Sequence, residues 1–103
     1  MKKPILTPED ELPELEHKEG CQVIEIDFRD EANEFLIITF VTIFVTLEKS
    51  GGDGYNTPND IRLKKDIHEI EYHCFDFDGN RVIDEGGVIY KELEKIIKWE
   101  YEN

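Results

Sequence analysis

Apolar and polar side chains alternate in residues 21–28, where Ile24, Ile26 and Phe28 fall on one side of an extended chain. A period of two is typical of a β-strand with one buried face. Residues 35–48 are dense in β-branched and aromatic residues, which favours a second strand over a helix. Because only a short polar stretch, 29–34, separates the two strands, we expect them to pair as a hairpin.

A third strand-like stretch, 61–77, changes the parity of its apolar positions. These are odd-numbered at first and even-numbered later: Ile61, Leu63 and Ile67, then Ile70, Tyr72 and Cys74. A strand keeps one face buried only while its parity is constant, so the change predicts a β-bulge or a break near residues 68–69. Residues 50–60 before it are turn formers that predict a connection, and residues 81–83 predict a short returning strand.

Residues 88–101 have helical spacing instead. The apolar face holds Ile89, Leu93, Ile96 and Ile97, with Tyr90 and Tyr101 at one edge and Trp99 beside Ile96, and the opposite face holds Lys91, Lys95, Lys98 and Glu102. Asp84 and Glu85 precede the first turn, where negative charge suits the helix dipole. A helix of this length is not stable alone, so we expect it to pack on the sheet.

The first nineteen residues contain three prolines among many acids, which disfavours both a long helix and a central strand. They predict an extended acidic arm that lies on the domain through four apolar side chains: Ile5, Leu6, Leu12 and Leu15. The predicted fold is therefore α+β, an antiparallel β-meander of about four strands packed against one C-terminal α-helix. The arm covers residues 1–19 and a single domain covers residues 20–103.

Charge changes the picture more than any other feature of the composition. The chain has 25 acidic and 12 basic residues, a net charge of -13, and the acidic excess runs through both residues 1–34 and residues 35–103. Such a chain repels nucleic acids and anionic membranes and attracts basic proteins, although solubility alone is an open alternative. The longest apolar run, 35–47, is shorter than the ~20 residues of a membrane-spanning helix, and no signal-peptide h-region precedes it. We therefore expect a soluble cytoplasmic protein.

The stretch FDFDGNRVID, residues 75–84, places oxygens at Asp76, Asp78 and Asn80 around a glycine. An EF-hand loop would need a glycine where Arg81 stands and a glutamate where Gly87 stands. Aspartate and glycine between two strand-like runs indicate instead a tight hairpin turn with Gly79 or Asn80 at positive φ. We expect a turn and not a calcium loop, while a weak cation site shared by Asp76, Asp84 and Glu85 is an open alternative.

Other chemistries have little support in the sequence. The two cysteines, Cys21 and Cys74, belong to no CxxC pair, and Cys74 is expected to be a small core residue, although one disulfide between them is open. Ser50 is the only serine, and GGDG, residues 51–54, lacks the lysine and the helix of a phosphate loop. We expect no catalytic activity, no metal and no cofactor.

The most informative candidates are aromatic residues on the sheet face away from the helix. Phe75 and Phe77 share their parity with Glu69, Glu71 and His73, which would place exposed rings beside carboxylates. Coverage by the arm, or inward rotation caused by the parity change, is the alternative. The predicted partner-binding residues are Glu69, Glu71, His73, Phe75, Phe77, Asp76, Asp78, Asp53, Tyr55 and Phe44.

Three stretches, FVTIFVTLEKSGGDGYNTPND, DIHEIEYHCFDFDGNRV and KELEKIIKWE, follow one another over about residues 35–100. Their order and composition resemble those of small acidic phage-encoded proteins, most of which have no known function. The resemblance implies a phage or mobile-element setting and carries over no site residue.

These observations lead to the hypothesis of a non-enzymatic acidic protein that binds a basic protein surface. In a phage setting, such a protein would inhibit a host restriction or CRISPR nuclease by occupying the channel that holds nucleic acid. Three alternatives stay open: an immunity protein for a basic nuclease toxin, a self-associating phage accessory or structural protein, and a small enzyme that uses carboxylates or a divalent metal.

Overall fold

The computed structural model describes residues 2–49 and 61–102. Within these ranges the strands are β1 (Leu6–Pro8), β2 (Gly20–Asp30), β3 (Phe35–Lys49), β4 (Ile61–Asp76) and β5 (Arg81–Val82), and a short 3-10 turn (Glu85–Gly87) leads into helix α1 (Val88–Glu102). All neighbouring strands pair antiparallel in the order β1-β2-β3-β4-β5. The predicted α+β meander with one C-terminal helix is confirmed, and β1 adds a fifth strand to the expected four.

The alternation of residues 21–28 and its continuation across β3 and β4 produce one buried face. Phe28 lies opposite Ile37, which lies opposite Cys74, and all three side chains are buried. The register of β3 and β4 shifts between Thr42 and Ile43, so that His68 is the extra residue of a β-bulge. The bulge predicted from the parity change is confirmed, and it keeps apolar positions on the buried face on both sides of the shift.

Helix α1 packs on this face through Ile89, Leu93, Ile97 and Tyr101, all of which are buried. The predicted helix face is correct except at two aromatic residues. Tyr101 lies in the core and not at its edge, and Trp99 is 70% exposed although its neighbour Ile96 packs partly against the core. The layer opposite α1 has no helix among the described residues, so α1 covers only one face of the sheet.

The N-terminal arm first adds a strand to the sheet and then continues on the same side of the sheet as α1. Its three-residue strand β1 pairs with the end of β2, and Pro8 fits there because an edge strand can spare a donor. Leu15 is buried in the core, and the Tyr101 hydroxyl donates to the Pro13 carbonyl at 2.7 Å. Leu6 and Leu12 also pack against the core, but Ile5, which was expected to do so, is 60% exposed.

A buried aspartate at the end of β2 anchors the start of the arm. Asp30 is fully buried, and its carboxylate accepts the backbone N–H groups of Ile5, Ala32 and Asn33 at 3.1, 3.0 and 3.3 Å and the Asn33 side-chain amide at 2.8 Å. A buried carboxylate is tolerated only when donors surround it in this way. Asp30 therefore fixes the arm and the β2–β3 turn together.

The tight turn after β4 is confirmed. Gly79 has a φ of 90°, a conformation that glycine adopts without steric cost. The Asp76 carboxylate accepts the backbone N–H groups of Asp78 and Asn80 at 3.0 and 2.8 Å and the Asn80 side-chain amide at 3.2 Å. These donors, Asn80 foremost, lower the pKa of Asp76 below its ordinary value. The turn thus uses the carboxylate of Asp76, one of the three residues that suggested a cation loop.

The two cysteines are unpaired thiols. Cys21 is exposed on β2, whereas Cys74 is buried on β4, as expected for a core residue. Burial, followed by the charges of Asp84 and Asp30, raises the pKa of Cys74 to about 11. Cys74 is therefore a protonated packing residue at neutral pH.

Candidate protein-binding face

The sheet face away from α1, which we call the open face, carries a row of apolar side chains along its central strand. Residues 35–41 of β3 are almost all apolar, so the strand buries one set and presents the other on the open face. We call this second set the apolar row: Leu36, Ile38, Phe40 and Phe44. None of the row is buried, and Phe44 is 47% exposed. Leu36, Ile38 and Phe40 are half-buried, and Thr42 separates them from Phe44. Apolar side chains that remain accessible together on one surface are typical of a binding site.

Carboxylates lie on both sides of the apolar row. The strand register places Glu25 of β2 and Glu71 of β4 on either side of Phe40. We call the whole set the acidic flanks: Glu25 and Asp27 of β2, and Asp66, Glu69 and Glu71 of β4. The two flanks lie roughly 10 Å apart, because strands are ~4.8 Å apart in a sheet. All five side chains are exposed.

Basic residues occur on the described strands of the open face only toward the ends of the row. Arg29 and Arg81 stand beside the strand positions of Leu36 and Phe75, and Lys64 stands opposite Thr46 beyond the other end. The middle of the open face is therefore acidic around an apolar centre. An apolar centre with a charged rim is the arrangement found in protein interfaces.

One end of the row opens into an apolar groove of about 310 Å³. Leu36, Ile38, Phe75 and Phe77 line the groove, and Phe77 is 52% exposed. The Arg29 guanidinium lies 5.6 Å from the centre of the Phe77 ring, close enough for a cation–π contact. The same guanidinium forms a salt bridge with Glu9 at 3.1 Å. Arg29 thus links Glu9 of the arm to the Phe77 ring of the groove.

The structure brings together five of the predicted binding residues. Glu69, Glu71, His73 and Phe75 follow one another on the open face of β4, and Phe77 continues them at the groove. Phe44 lies on the same face but at the other end of the row, opposite Asp66. Neither the arm nor the parity change hides these rings, because Phe44 and Phe77 are 47% and 52% exposed and Phe75 is half-buried.

The other four predicted residues have different positions. Asp76 is engaged by the turn, and Asp78 is exposed at the turn tip. Asp53 and Tyr55 lie outside the described residues. The sequence interpretation missed most of the apolar row and the β2 flank, namely Leu36, Ile38, Phe40, Glu25 and Asp27. Pairing 21–28 with 35–48 residue by residue would have revealed them, because the outward side chains of the two strands must then be neighbours.

Catalytic groupings are not evident in the described ranges. No cluster of three or more His, Cys, Asp or Glu side chains within them could hold a metal ion. Burial raises the pKa values of Tyr72, Tyr90 and Tyr101, all of which belong to the layer between the sheet and α1. Burial is the largest cause of each shift, and for Tyr72 the hydrogen bond to Asp84 adds to it. The helices of the described ranges include none that is long and apolar enough to cross a membrane.

Comparison with known proteins adds no relative from which a role could be transferred. No family model, no curated protein and no solved structure matches the chain.

Proposed function

We propose that the protein is a non-enzymatic binding protein whose open face docks on a basic surface of another protein. The observation that carries this proposal is the uncovered face itself, with an apolar row between two acidic flanks. The row supplies the area that excludes water from an interface, and the flanks supply charge that selects the partner. Without a partner, a sheet that leaves apolar side chains accessible on one face is an aggregation risk.

The sign of the charge favours a basic partner over a second copy of the chain. Two copies meeting by their open faces would bring Glu25, Glu69 and Glu71 against the same carboxylates. Like charges placed opposite one another across an interface cost several kcal/mol and suppress such pairs. The net charge of -13 adds a long-range repulsion between copies.

The partner class that fits best is a nucleic-acid-binding protein. Surfaces that hold phosphates are rich in Lys and Arg, and paired acidic rows can occupy such surfaces in place of phosphates. In the phage or mobile-element setting implied by the resemblance, the partner is a cytoplasmic host restriction or CRISPR nuclease. The protein then acts as an inhibitor that competes with nucleic acid and does not bind nucleic acid itself.

The test is a capture experiment with two matched charge variants. Glu69→Lys/Glu71→Lys reverses one acidic flank, and Glu14→Lys/Glu100→Lys makes the same change in net charge at the cleft between the arm and α1. Proteins from a bacterial lysate are captured on each immobilised variant at low salt and then eluted with a short DNA duplex.

We expect the wild type and the cleft variant to retain the same basic proteins, which the duplex releases, and the flank variant to lose them. Equal capture by the two variants would mean that net charge alone attracts partners and would contradict a role for the open face. Captured proteins that the duplex does not release would contradict competition with nucleic acid.

A further inference from the structure

We infer that the element of the partner that docks on the open face is an amphipathic α-helix with an apolar stripe and Lys or Arg along both sides of it. This inference rests on the proposed function, because it names the shape of the basic partner. It follows from three properties of the open face: its satisfied backbone, the length of the apolar row and the distance between the acidic flanks.

The backbone beneath the apolar row has no hydrogen-bonding capacity to offer a partner strand. β3 is the central strand and pairs along its length with β2 on one side and β4 on the other. A strand laid on this face would leave its own N–H and C=O groups unpaired, which is costly away from water. A helix satisfies its backbone internally and presents only side chains, so a single helix can pack on a sheet face without this cost. On the opposite face, α1 does this.

The length of the row matches a helix of ordinary size. Leu36 and Phe44 are eight positions apart on β3, which spans roughly 26 Å at the ~3.3 Å rise of a strand. A helix of about 18 residues covers that distance at 1.5 Å per residue. The apolar positions of such a helix, three or four apart, would meet Leu36, Ile38, Phe40 and Phe44 in turn.

The spacing of the acidic flanks matches the width of the same helix. Glu25 and Glu71 lie on either side of Phe40, roughly 10 Å apart by strand spacing, and a helix with its side chains is ~10–12 Å across. Long basic side chains place their methylene stems on an apolar floor and extend the charged group outward. Lys or Arg on both edges of the stripe would therefore reach both flanks near Phe40, where Glu25 and Glu71 face each other across the row.

The outer side of α1 from a second copy is a poorer occupant, although it carries lysines. Among the described residues, its exposed large apolar side chains are Val88 and Trp99, which lie at opposite ends of the helix. Lys95 and Lys98 form ion pairs with Glu92 and Glu94 at 3.9 and 3.3 Å. This side of α1 therefore lacks an apolar stripe for the row.

The experiment uses two synthetic peptides of 18 Leu and Lys residues with capped ends. One places its leucines at helical spacing to form an apolar stripe, and the other has the same composition in an order that forms no stripe. Binding of each labelled peptide to the full chain is measured by fluorescence anisotropy, and peptide helicity by circular dichroism. We expect the striped peptide to gain helicity on binding and to bind at least about tenfold more tightly than the other, a difference of ~1.4 kcal/mol.

Protein variants then locate the bound peptide. Phe40→Ser should weaken binding of the striped peptide about tenfold or more, whereas Val88→Ser, an equivalent change on α1, should not. A thermal melt of each variant verifies folding, and Glu25→Gln/Glu71→Gln, which keeps side-chain size, serves as a second test. That double variant should reduce both affinity and its dependence on salt.

Each other result has a distinct meaning. If the two peptides bound equally well and Glu69→Lys/Glu71→Lys weakened both, the inference of a helical partner would be wrong and the proposed function would stand. Binding of both peptides that is indifferent to this flank variant would contradict the proposed function as well. If the striped peptide did not bind, only the inference of a helical partner would be wrong, since the lysate experiment tests the basic partner separately. If the wild type formed a dimer that Phe40→Ser dissociates, a second copy would occupy the open face. Both the helical partner and the proposed function would then be wrong.

Discussion

The Tyr72 hydroxyl donates a 2.7 Å hydrogen bond to the Asp84 carboxylate, which ties β4 to the start of the helix layer. The same carboxylate accepts the backbone N–H groups of Ile89 and Tyr90, each at 3.0 Å. Burial, and then the bond to Asp84, raises the pKa of Tyr72 well above its ordinary value, so the hydroxyl remains a donor. Asp84 therefore has two roles: it caps α1, and through Tyr72 it positions the helix on the sheet.

Replacing Asp84 should be costly for this reason. Asp84→Ala leaves the Tyr72 hydroxyl and two helix N–H groups without their acceptor, and we expect the free energy of unfolding to fall by about 2–4 kcal/mol. Tyr72→Phe removes one bond and leaves Asp84 its two helix donors, so it should cost about 1 kcal/mol. Urea unfolding measures both. Glu85→Ala, a change at the exposed neighbour, should stay within about 0.5 kcal/mol, and an equal loss from this control would contradict the cap.

Acid should remove the contribution of the Asp76 turn. The backbone N–H of Asn80 is the first of several donors that lower the pKa of Asp76 from 3.8 in the folded state. A lowered folded pKa means that the stabilisation is present above the unfolded pKa and is lost as the pH falls through the folded pKa. The melting temperature of the wild type should therefore exceed that of Asp76→Asn at neutral pH, and the gap should narrow below pH 3.8.

The control for this prediction is Asp78→Asn, at the tip of the same turn. Its carboxylate accepts none of the turn bonds made by Asp76, so its effect on the melting temperature should change less with pH. A gap between the wild type and Asp76→Asn that is constant from neutral pH to pH 2 would contradict the prediction.

Thr39 is a polar residue in the middle of the buried face. It is fully buried between Ile26 and Tyr72 in the strand register, and its hydroxyl has no hydrogen-bond partner among the described residues. A buried hydroxyl without a partner forfeits the bonds it would make in water. Thr39→Val, which keeps the shape, should therefore leave the free energy of unfolding unchanged or raise it by up to about 1 kcal/mol. One hydrogen bond is worth ~1 kcal/mol. If Thr39→Val lowered the free energy of unfolding by about 2 kcal/mol, the hydroxyl would have a hydrogen-bond partner and the prediction would be wrong.

Regular periodicity explains why so much of the fold could be predicted from the sequence. The parity change between Ile67 and Ile70 located the bulge, and the spacing of Ile89, Leu93 and Ile97 located the helix face. Strand β1 was missed because three residues that include Pro8 are too few to show a period. Asp30 was missed for another reason. Aspartate is rarely fully buried, and one of its donors, Ile5, is 25 positions away in the chain.

The candidate binding face was only half predicted for a related reason. In β4, charged residues alternate with apolar ones, so Glu69 and Glu71 could be assigned to the open face from the sequence. In residues 35–41 of β3, both sides of the strand are apolar, and period two cannot tell which side is covered. The position of α1 decides this, and α1 is joined to β3 only by tertiary packing. Leu36, Ile38 and Phe40 could therefore be assigned to the open face only from the structure.

The two kinds of side chain on the open face should act on different rate constants of partner binding. Exposed carboxylates steer a basic partner from a distance, whereas apolar side chains hold it after contact. For a partner that DNA releases in the capture experiment, Glu69→Lys/Glu71→Lys should mainly slow association. The effect should be greatest at low ionic strength, where the Debye length is ~30 Å at 0.01 M against ~8 Å at 0.15 M. Surface plasmon resonance at several salt concentrations measures both rates.

Phe75→Ala should mainly speed dissociation of the same partner, because it removes ring area from the groove and no charge. We expect dissociation to become roughly tenfold faster, since a buried aromatic contact is commonly worth more than 1 kcal/mol in an interface. Trp99→Ala is the matched control, because its ring is 70% exposed on the α1 side of the molecule. If Trp99→Ala and Phe75→Ala had the same effect, the open face would not be the docking surface. Association that did not depend on salt would contradict steering by its carboxylates.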